Sequence, residues 1–274
     1  MVQLLIGADP EIFLKKGSRN VSAHGVCPGT KKEPHKIKKG AIQLDGTAVE
    51  FNIDPASSAK MFSDNIAEVL KGIRKIIPND FKFQIKPSVK YAQKYFDDDI
   101  PPEAKELGCD PDRSAYKAGA LNDPPKPVST IRTGAGHIHI GWTNGLDVND
   151  PSHIADCAML TRNMDALVRL VEHNWDKDKR RRSMYGKLGS FRVKPYGMEY
   201  RSLSNAWVAY PKLYPFIFSV AATAYHQTAN GTDLLDRLID AKLSPKDFNN
   251  FIKHMIYPIP SPMPEDFANE VVKW

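Results

Sequence analysis

The chain has 274 residues, of which 42% are hydrophobic and 26% are charged, so it can bury a sizeable core in one large domain or two small ones. The formal net charge of +6 favours anionic partners in general, such as phosphates, nucleotides, acidic peptides or nucleic acid, without choosing among them. Three cysteines without a CxxC pair argue against a zinc knuckle or a disulfide framework. With no signal peptide or membrane-length apolar run in the sequence, they predict a cytoplasmic protein.

The first third of the sequence is predicted to be rich in β-structure. Gln3–Leu14 is an apolar stretch interrupted by an Asp-Pro-Glu sequence, and Ile42–Ile53 predicts a hairpin that turns near Asp45. Apolar residues at steps of three and four predict a helix over Ser57–Ile77. Phe81–Val89 then alternates in the manner of another strand.

Residues 97–129 differ from their surroundings, because they are rich in Pro, Asp, Gly and Lys and have no sustained periodicity. A segment of this length in a compact domain is usually a functional loop, and a disordered insertion is the alternative. We expect an ordered loop that covers a site as a lid.

The second half of the sequence alternates between strands and helices. A Gly-rich turn leads into a strand in STIRTGAGHIHIGW, and Pro151–His173 predicts a helix with a broad apolar face and Ser152 as its N-cap. The basic stretch DKDKRRR follows, and Ser190–Leu203 predicts a strand pair that turns at Tyr196.

From Tyr210 onward the pattern predicts three helices and a Pro-rich tail. The chain contains no internal repeat and no obvious linker. Residues 1–274 are therefore predicted to form a single α+β domain built on an antiparallel sheet.

Pairs of chemically active side chains recur at a spacing of two residues, which on a strand places both side chains on the same face. The pairs are Asp9 with Glu11, His137 with His139, and Glu199 with Arg201. Two carboxylates this close repel each other unless a cation lies between them, and a divalent metal would meet that need. The alternative for Asp9 and Glu11 is a strand end at which both acids face water.

The histidine pair can present two nitrogens to a metal, or one to a metal and the other to a phosphate. Structural histidines with ordinary hydrogen-bond partners are the alternative. The preceding Gly134-Ala135-Gly136 favours the functional interpretation, because glycine allows the backbone to approach a ligand closely.

Acidic and cationic side chains are also interleaved near the end of the strand-rich part. Arg192 and Lys194 repeat the two-residue spacing on the strand that precedes Glu199 and Arg201. An acid beside several cations suits a site that holds a metal together with a phosphate. A salt-bridge ladder on a solvated face is the alternative, and Glu50 in the first hairpin is open to the same two interpretations.

In order and spacing, these motifs resemble the phage-type COOH–NH2 ligases (amidoligases), relatives of glutamate–cysteine ligase and glutamine synthetase. The motifs are GADPEIF, PGTKKEP, DGTAVEFN, LGCDPD, GHIH and FRVKPYGMEYRSLSNAW, and the resemblance covers residues 5 to 208 or so. It implies a curved antiparallel sheet with the active site on its concave face and helices on the other face, as in the catalytic domain of glutamine synthetase.

The resemblance also implies an ATP-dependent carboxylate–amine ligase that forms an acyl phosphate and uses Mg²⁺, with Mn²⁺ as a substitute. The substrates would be a carboxylate and an amine from an amino acid, a peptide or a protein, and the location the host cytoplasm if a phage encodes the chain. Assembly into a homo-oligomer is compatible with it.

By the same resemblance, Glu11 and Glu50 hold one metal ion, whereas Asp9, His137 and Glu199 hold another. The Asp-Pro-Glu sequence departs from the two glutamates of glutamine synthetase, so the shorter Asp9 could reach its ion through water. The residues assigned to the nucleotide are His139, Arg132, Arg192, Lys194 and Arg201, and the last three are also assigned to phosphoryl transfer.

Two other functions remain open at this point. One is a hydrolase with zinc on His137, His139 and a carboxylate, although oxygen-rich sites prefer Mg²⁺ or Mn²⁺. The other is a nucleic-acid-binding protein, supported by the net charge and by the basic run at 179–182, which is predicted to be a solvated loop or a contact to ATP phosphates. His24 and Lys31 flank the PGT sequence and are predicted to belong to a plain turn, and contact with a nucleotide or substrate is the alternative.

Overall fold

The computed structural model describes residues 3–105, 111–123 and 130–241. The strands are β1 (Leu5–Lys16), β2 (Arg19–Val21), β3 (His35–Ile37), β4 (Gly40–Asp45), β5 (Ala48–Ile53), β6 (Phe81–Gln84), β7 (Ser88–Lys90), β8 (Arg113–Ser114), β9 (Ile131–Thr133), β10 (Gly136–Gly141), β11 (Ser190–Lys194) and β12 (Gly197–Tyr200). The helices are α1 (Ala59–Ile76), α2 (Gln93–Asp98), α3 (Pro102–Lys105), α4 (Pro151–Met164), α5 (Leu170–Glu172), α6 (Lys179–Met184), α7 (Leu213–Ala229) and α8 (Leu234–Ala241).

A large antiparallel sheet organises the described part of the chain. Its strands follow the order β3-β4-β5-β1-β10-β12-β11-β8, and β2 and β6 pair with the far half of β1. Strand β1 is 12 residues long, so it pairs with β10 over its first half and with β5, β2 and β6 beyond that point. The prediction of an α+β fold with an antiparallel sheet is confirmed.

Several local predictions are also confirmed. The hairpin of β4 and β5 turns at Gly46 and Thr47, and α1 begins after Ser58, whose side chain accepts a hydrogen bond from the N–H of Met61. Strands β11 and β12 form the expected pair. From Tyr210 onward, α7 and α8 match two of the three expected helices, and the third, with the Pro-rich tail, falls outside the described residues.

Two local predictions are wrong in detail. The helix that follows β10 is capped by Asp150, whose side chain accepts a hydrogen bond of 2.9 Å from the N–H of His153, and Ser152 lies inside the first turn. Pro151 explains the difference, because proline has no N–H and is favoured directly after the N-cap. The single strand expected over 81–89 is divided between β6, which pairs with β1, and β7, which pairs with β9.

The long helices pack on one face of the sheet. Side chains at alternate positions of β1 and β10, such as Ile6, Ile12 and Ile138, are fully buried in the core cluster that contains residues of α1, α4 and α7. Because successive strand residues point to opposite faces, the side chains of Asp9 and Glu11 face away from this core. No helix of the described residues is long and apolar enough to cross a membrane.

The basic run at 179–182 forms the short helix α6, so the prediction of a solvated loop is wrong. Arg181 is fully buried, and its guanidinium donates hydrogen bonds to the carbonyls of Ser202 (2.9 Å) and Leu203 (2.7 Å). Arg182 donates to the carbonyl of Asp176 at 2.7 Å. Arg181 thus supports the backbone after β12 and Arg182 supports the backbone just before α6, so the run is not a continuous basic surface.

Replacing Arg181 by alanine should reduce the free energy of unfolding by at least about 3 kcal/mol, because it leaves two buried carbonyls without their donors and opens a cavity. The exposed neighbour Arg180 provides the matched control, and Arg180→Ala should change stability by less than about 0.5 kcal/mol. Urea unfolding of the two variants measures the difference. Equal stabilities would show that Arg181 does not hold this part of the backbone.

Candidate active site

Strand register brings the predicted site residues into one band across the sheet. The paired residues are Glu50 with Glu11 (β5 and β1), Asp9 with His137 (β1 and β10), His139 with Glu199 (β10 and β12), and Glu199 with Arg192 (β12 and β11). Residues directly opposite each other in an antiparallel pair point to the same face. Five strands from different parts of the chain therefore present these side chains side by side.

A cavity of about 750 Å³ lies over this band. All the predicted metal-binding residues line it, as do Arg132, Arg192, Lys194 and Arg201. His139 is not part of the lining, and it contacts the site through Asp9 instead. Phe13 and Ala48 also line the cavity, and both belong to a small apolar cluster with Tyr91 and Phe96 on this side of the sheet.

One group of potential metal ligands consists of Asp9, His137 and Glu199, each of which offers an atom within 4.8 Å of the others. His137 Nδ1 is 3.2 Å from Glu199 Oε1 and 3.5 Å from Asp9 Oδ1. Asp9 Oδ1 is buried and accepts no hydrogen bond from the described residues. A buried carboxylate oxygen in that state is a suitable ligand for a cation.

Cations surround the inner carboxylate of this group. Glu199 is 1% exposed, and its Oε2 lies 3.3 Å from Arg192 Nη1 and 3.1 Å from Lys194 Nζ, while Arg201 binds Oε1. Burial alone would raise the pKa of Glu199, but His137 and the neighbouring cations hold it well below its usual range. Glu199 is therefore ionised in this site.

The histidine at the second position of the pair has a different environment. His139 Nε2 lies 3.0 Å from Asp9 Oδ2, and its Nδ1 is 2.5 Å from the hydroxyl of Tyr196. Burial opposes the charges on both Asp9 and His139, but their mutual attraction prevails. It lowers the pKa of Asp9 to about 2 and raises the pKa of His139. His139 thus orients Asp9, and it is not a member of either group of potential ligands among the described residues.

A second group consists of Glu11, Asp45 and Glu50, which also offer ligand atoms within 4.8 Å of one another. Burial, followed by repulsion from Asp45, raises the pKa of Glu11 to about 7. Burial and repulsion from Asp9, Asp45 and Glu11 raise the pKa of Glu50 well above its usual range. In contrast to Glu199, these acids have more negative charge around them than positive charge.

Asp45 was not among the predicted ligands, although the sequence contains a signal for it. In a hairpin with a two-residue turn, Asp45 pairs with Ala48 and Gln43 pairs with Glu50. Residues 43 and 45 are two apart, so Asp45 lies on the same face as Glu50. Counting the paired residues outward from the predicted turn would have placed Asp45 among the candidate ligands.

Lys31 is a second residue that sequence reasoning left out of the site. The prediction of a turn is correct, since the N–H of Thr30 donates to the carbonyl of Glu33 at 3.0 Å. The turn nevertheless brings Lys31 to the cavity, where its Nζ is 2.9 Å from Asp45 Oδ1. Burial opposes the charge of Lys31, but Asp45, Glu50 and Glu11 raise its pKa. Only the tertiary contact reveals this role.

Arg201 and Arg132, the two other arginines predicted to bind the nucleotide, line different parts of the cavity. Arg201 binds the hydroxyl of Tyr185, which is also 3.2 Å from His137 Nε2. The guanidinium of Arg132 donates to the carbonyls of Ile131 and Lys105 and lies over the Phe96 ring, 4.7 Å from its centroid. Arg132 therefore lines the cavity, with much of its hydrogen-bonding capacity directed to the backbone.

The predicted lid contributes to the site through its described residues. Pro111, Asp112, Asn122 and Asp123 line the cavity. Asn122 Nδ2 donates to Asp112 Oδ1 at 2.8 Å, and Asp112 Oδ2 is 3.7 Å from Nε of Arg201. Residues 106–110 and 124–129 of the segment lie outside the described residues. A lid function stays a prediction.

The glycines before and at the start of β10 have a structural reason that the sequence analysis did not predict. A Cβ added to Gly134 would lie 2.5 Å from Nδ2 of Asn205, and one added to Gly136 would lie 2.3 Å from the carbonyl oxygen of Ser204. The backbone at these glycines therefore approaches the chain's own segment after β12. The close approach of Gly134 also helps to position Asn205, whose Nδ2 donates a hydrogen bond to the carbonyl of Glu11 at 2.8 Å.

Residues 113–244 match the sequence model of a family described as phage phiEco32-like COOH.NH2 ligase-type 2. The match confirms the resemblance that the motifs predicted. The matched residues include the strands that carry His137 and Glu199 and also include Arg201, which directly follows β12, whereas the motifs with Glu11 and Glu50 precede the match. No curated protein matches the chain.

The elevated pKa of Glu11 predicts how the stability of the metal-free protein depends on pH. The folded protein holds this proton up to about pH 7, whereas the unfolded chain releases it near 4.5. The stabilising contribution is therefore complete below 4.5 and is lost as the pH rises through about 7. Glu11→Gln cannot ionise, so the wild-type protein should lose stability relative to this variant over that interval.

Urea unfolding in the presence of a chelator, at several pH values, tests this prediction, with the exposed Glu33→Gln as the control. Parallel pH profiles for the wild type and Glu11→Gln would contradict it.

Proposed function

We propose that the chain is an ATP-dependent carboxylate–amine ligase, because residues 113–244 match the model of a COOH.NH2 ligase family. The family name denotes an enzyme that joins a carboxyl group to an amino group, which forms a C–N bond. The finer parts of the proposal are the acyl-phosphate route, Mg²⁺ as the metal, with Mn²⁺ as a substitute, and a glutamine synthetase-like arrangement of the sheet.

The observation that supports the proposal most strongly is the separation of charge along one face of the sheet. At one end, Glu11, Asp45 and Glu50 form a cluster whose negative charge exceeds the single positive charge of Lys31. At the other end, three cations (Arg192, Lys194 and Arg201) surround Glu199. A divalent cation complements the first end, and a polyphosphate complements the second.

The donor sets fit Mg²⁺ in their chemistry. Carboxylate oxygens dominate both groups, and hard oxygen ligands are the ones that Mg²⁺ and Mn²⁺ prefer. In the proposed enzyme, Glu11, Asp45 and Glu50 hold one ion, while Asp9, His137 and Glu199 hold another. When bound, the ions would neutralise negative charge on the phosphate oxygens.

The cationic residues of the chain would hold the phosphates. Arg201 is 4% exposed and is oriented by Glu199 and the Tyr185 hydroxyl, so little conformational freedom remains to be lost when a phosphate binds. Arg192 and Lys194 stand on the neighbouring strand and share the other oxygen of Glu199. Together they would stabilise charge on the phosphoryl group as it is transferred.

The proposed reaction has two steps. An oxygen of the substrate carboxylate attacks the γ-phosphorus of ATP, the bond to the β–γ bridging oxygen breaks, and ADP leaves. The nitrogen of the amine then attacks the acyl carbon, the carbon–oxygen bond breaks, and inorganic phosphate leaves as the nitrogen loses a proton. Because water would compete with the amine, the described residues of segment 97–129 are proposed to shield the cavity.

Hydroxamate formation, and the ADP release that accompanies it, should depend on a carboxylate substrate and on both groups of potential metal ligands. A panel of amino acids and peptides is screened with ATP, Mg²⁺ and hydroxylamine, which serves as a general amine and converts an acyl phosphate into a hydroxamate. Glu11→Gln and Glu199→Gln should each reduce hydroxamate formation by about 100-fold or more, whereas Glu33→Gln should leave it unchanged.

A hydroxamate yield that survives both site variants would contradict the proposal. Turnover that proceeds without ATP, in a protein with stoichiometric zinc, would favour hydrolysis instead.

The shielding role of the segment predicts a change in partitioning between ligation and hydrolysis. Asn122→Ala removes the hydrogen bond that closes the segment beside Asp112, so water should reach the acyl phosphate more easily. The ratio of hydroxamate to free phosphate should fall several-fold, with the exposed Lys117→Ala as the control on the same segment. An unchanged ratio would show that this part of the segment does not exclude water.

A further inference from the structure

Lys31 is the described cation that contacts the acidic group of Glu11, Asp45 and Glu50. Its Nζ is 2.9 Å from Asp45 Oδ1, and it lines the same cavity as all three acids. At the opposite end of the cavity several cations share one carboxylate. Here three carboxylates line the cavity beside Lys31, which is paired with Asp45.

The position of Lys31 is determined by backbone contacts of its turn. Leu44 in β4 donates its N–H to the carbonyl of Gly29 at 3.2 Å, one residue before Asp45 in the strand. Gly29 has φ +83°, and a Cβ there would lie 2.5 Å from the carbonyl oxygen of Ile42, so only glycine suits this close approach. Thr30 Oγ1 accepts a hydrogen bond from the N–H of Glu33 at 3.1 Å and closes the turn.

The backbone of the turn is therefore held firmly, whereas the Lys31 side chain is long and flexible. The side chain of Lys31 is 49% exposed, so the solvation that it gains in turning toward water offsets much of the ion pair that it loses. A lysine ammonium is a single charge on a flexible stem, unlike the planar guanidinium of arginine, and it does not impose a bidentate geometry on the carboxylate it meets.

We infer that Lys31 is an exchangeable counter-cation of the acidic group. Its ammonium forms an ion pair with Asp45 in the metal-free protein and must leave Asp45 when a divalent ion binds. The inference rests on the proposed metal site at Glu11, Asp45 and Glu50. An oxygen of Asp45 that is bound to Nζ is less available as a ligand, and a positive charge this close repels an incoming cation. Lys31 thus lowers metal affinity while it stabilises the empty site.

The test is a calorimetric titration of the full chain with Mn²⁺, without nucleotide, at constant pH and low salt. Lys31→Gln should bind Mn²⁺ about three- to tenfold more tightly than the wild type, because it removes both the competitor and the repulsion. Lys31→Arg keeps the charge and should retain most of the wild-type affinity. Lys32→Gln, an exposed neighbour outside the cavity lining, controls for the general change in net charge.

The Glu11→Gln variant identifies which binding event belongs to the acidic group, since that event should weaken in this variant. If no binding event in the wild type depends on Glu11, the proposed metal site itself fails. If the event is present but Lys31→Gln binds Mn²⁺ equally or more weakly, only the role of Lys31 is overturned.

A structural readout is independent of affinity. In a protein whose lysines carry ¹³C-methyl groups, the resonance that is missing from Lys31→Arg should shift when Mg²⁺ is added to the parent protein. An unshifted resonance at saturating Mg²⁺ would show that Lys31 keeps its partner and would also overturn the inference.

Discussion

Mutual repulsion among closely spaced, half-buried carboxylates is the constraint on which the arrangement of this site depends. The antiparallel register of β1 with β5 and β10 places Glu11 opposite Glu50 and Asp9 opposite His137. Such proximity is unfavourable for like charges in a poorly solvated place unless cations compensate for it. The chain supplies some of the compensating positive charge through histidine, lysine and arginine. The negative charge that remains is complementary to divalent cations.

The protein also contains a buried acid that is satisfied in a different way. Asp165 is 3% exposed and accepts hydrogen bonds from the hydroxyls of Tyr116 and Tyr200 and from the N–H of Gly189. These neutral donors surround a carboxylate that supports the fold. The contrast shows that the chain can satisfy a buried carboxylate with hydrogen-bond donors, so the excess negative charge around Glu11 is a feature of the site and not of burial in general.

The two faces of β1 divide the tasks of stability and chemistry. One face contributes Ile6 and Ile12 to the main core, against which the long helices pack. The other face carries Asp9 and Glu11, whose burial is unfavourable and whose positions must still be precise. Extensive packing on the first face stabilises the strand strongly enough to hold these charges in register.

The sequence by itself determined the strand-spaced pairs, and these decided which side chains share a face, because alternation is a local property of the extended backbone. Turn chemistry predicted the first hairpin and, with register counting, could have identified Asp45. It did not reveal that Lys31 reaches Asp45 or that Arg181 is buried. Those positions depend on contacts between segments distant in the chain, and only the tertiary structure decides whether a lysine or arginine meets water, a carbonyl or a carboxylate.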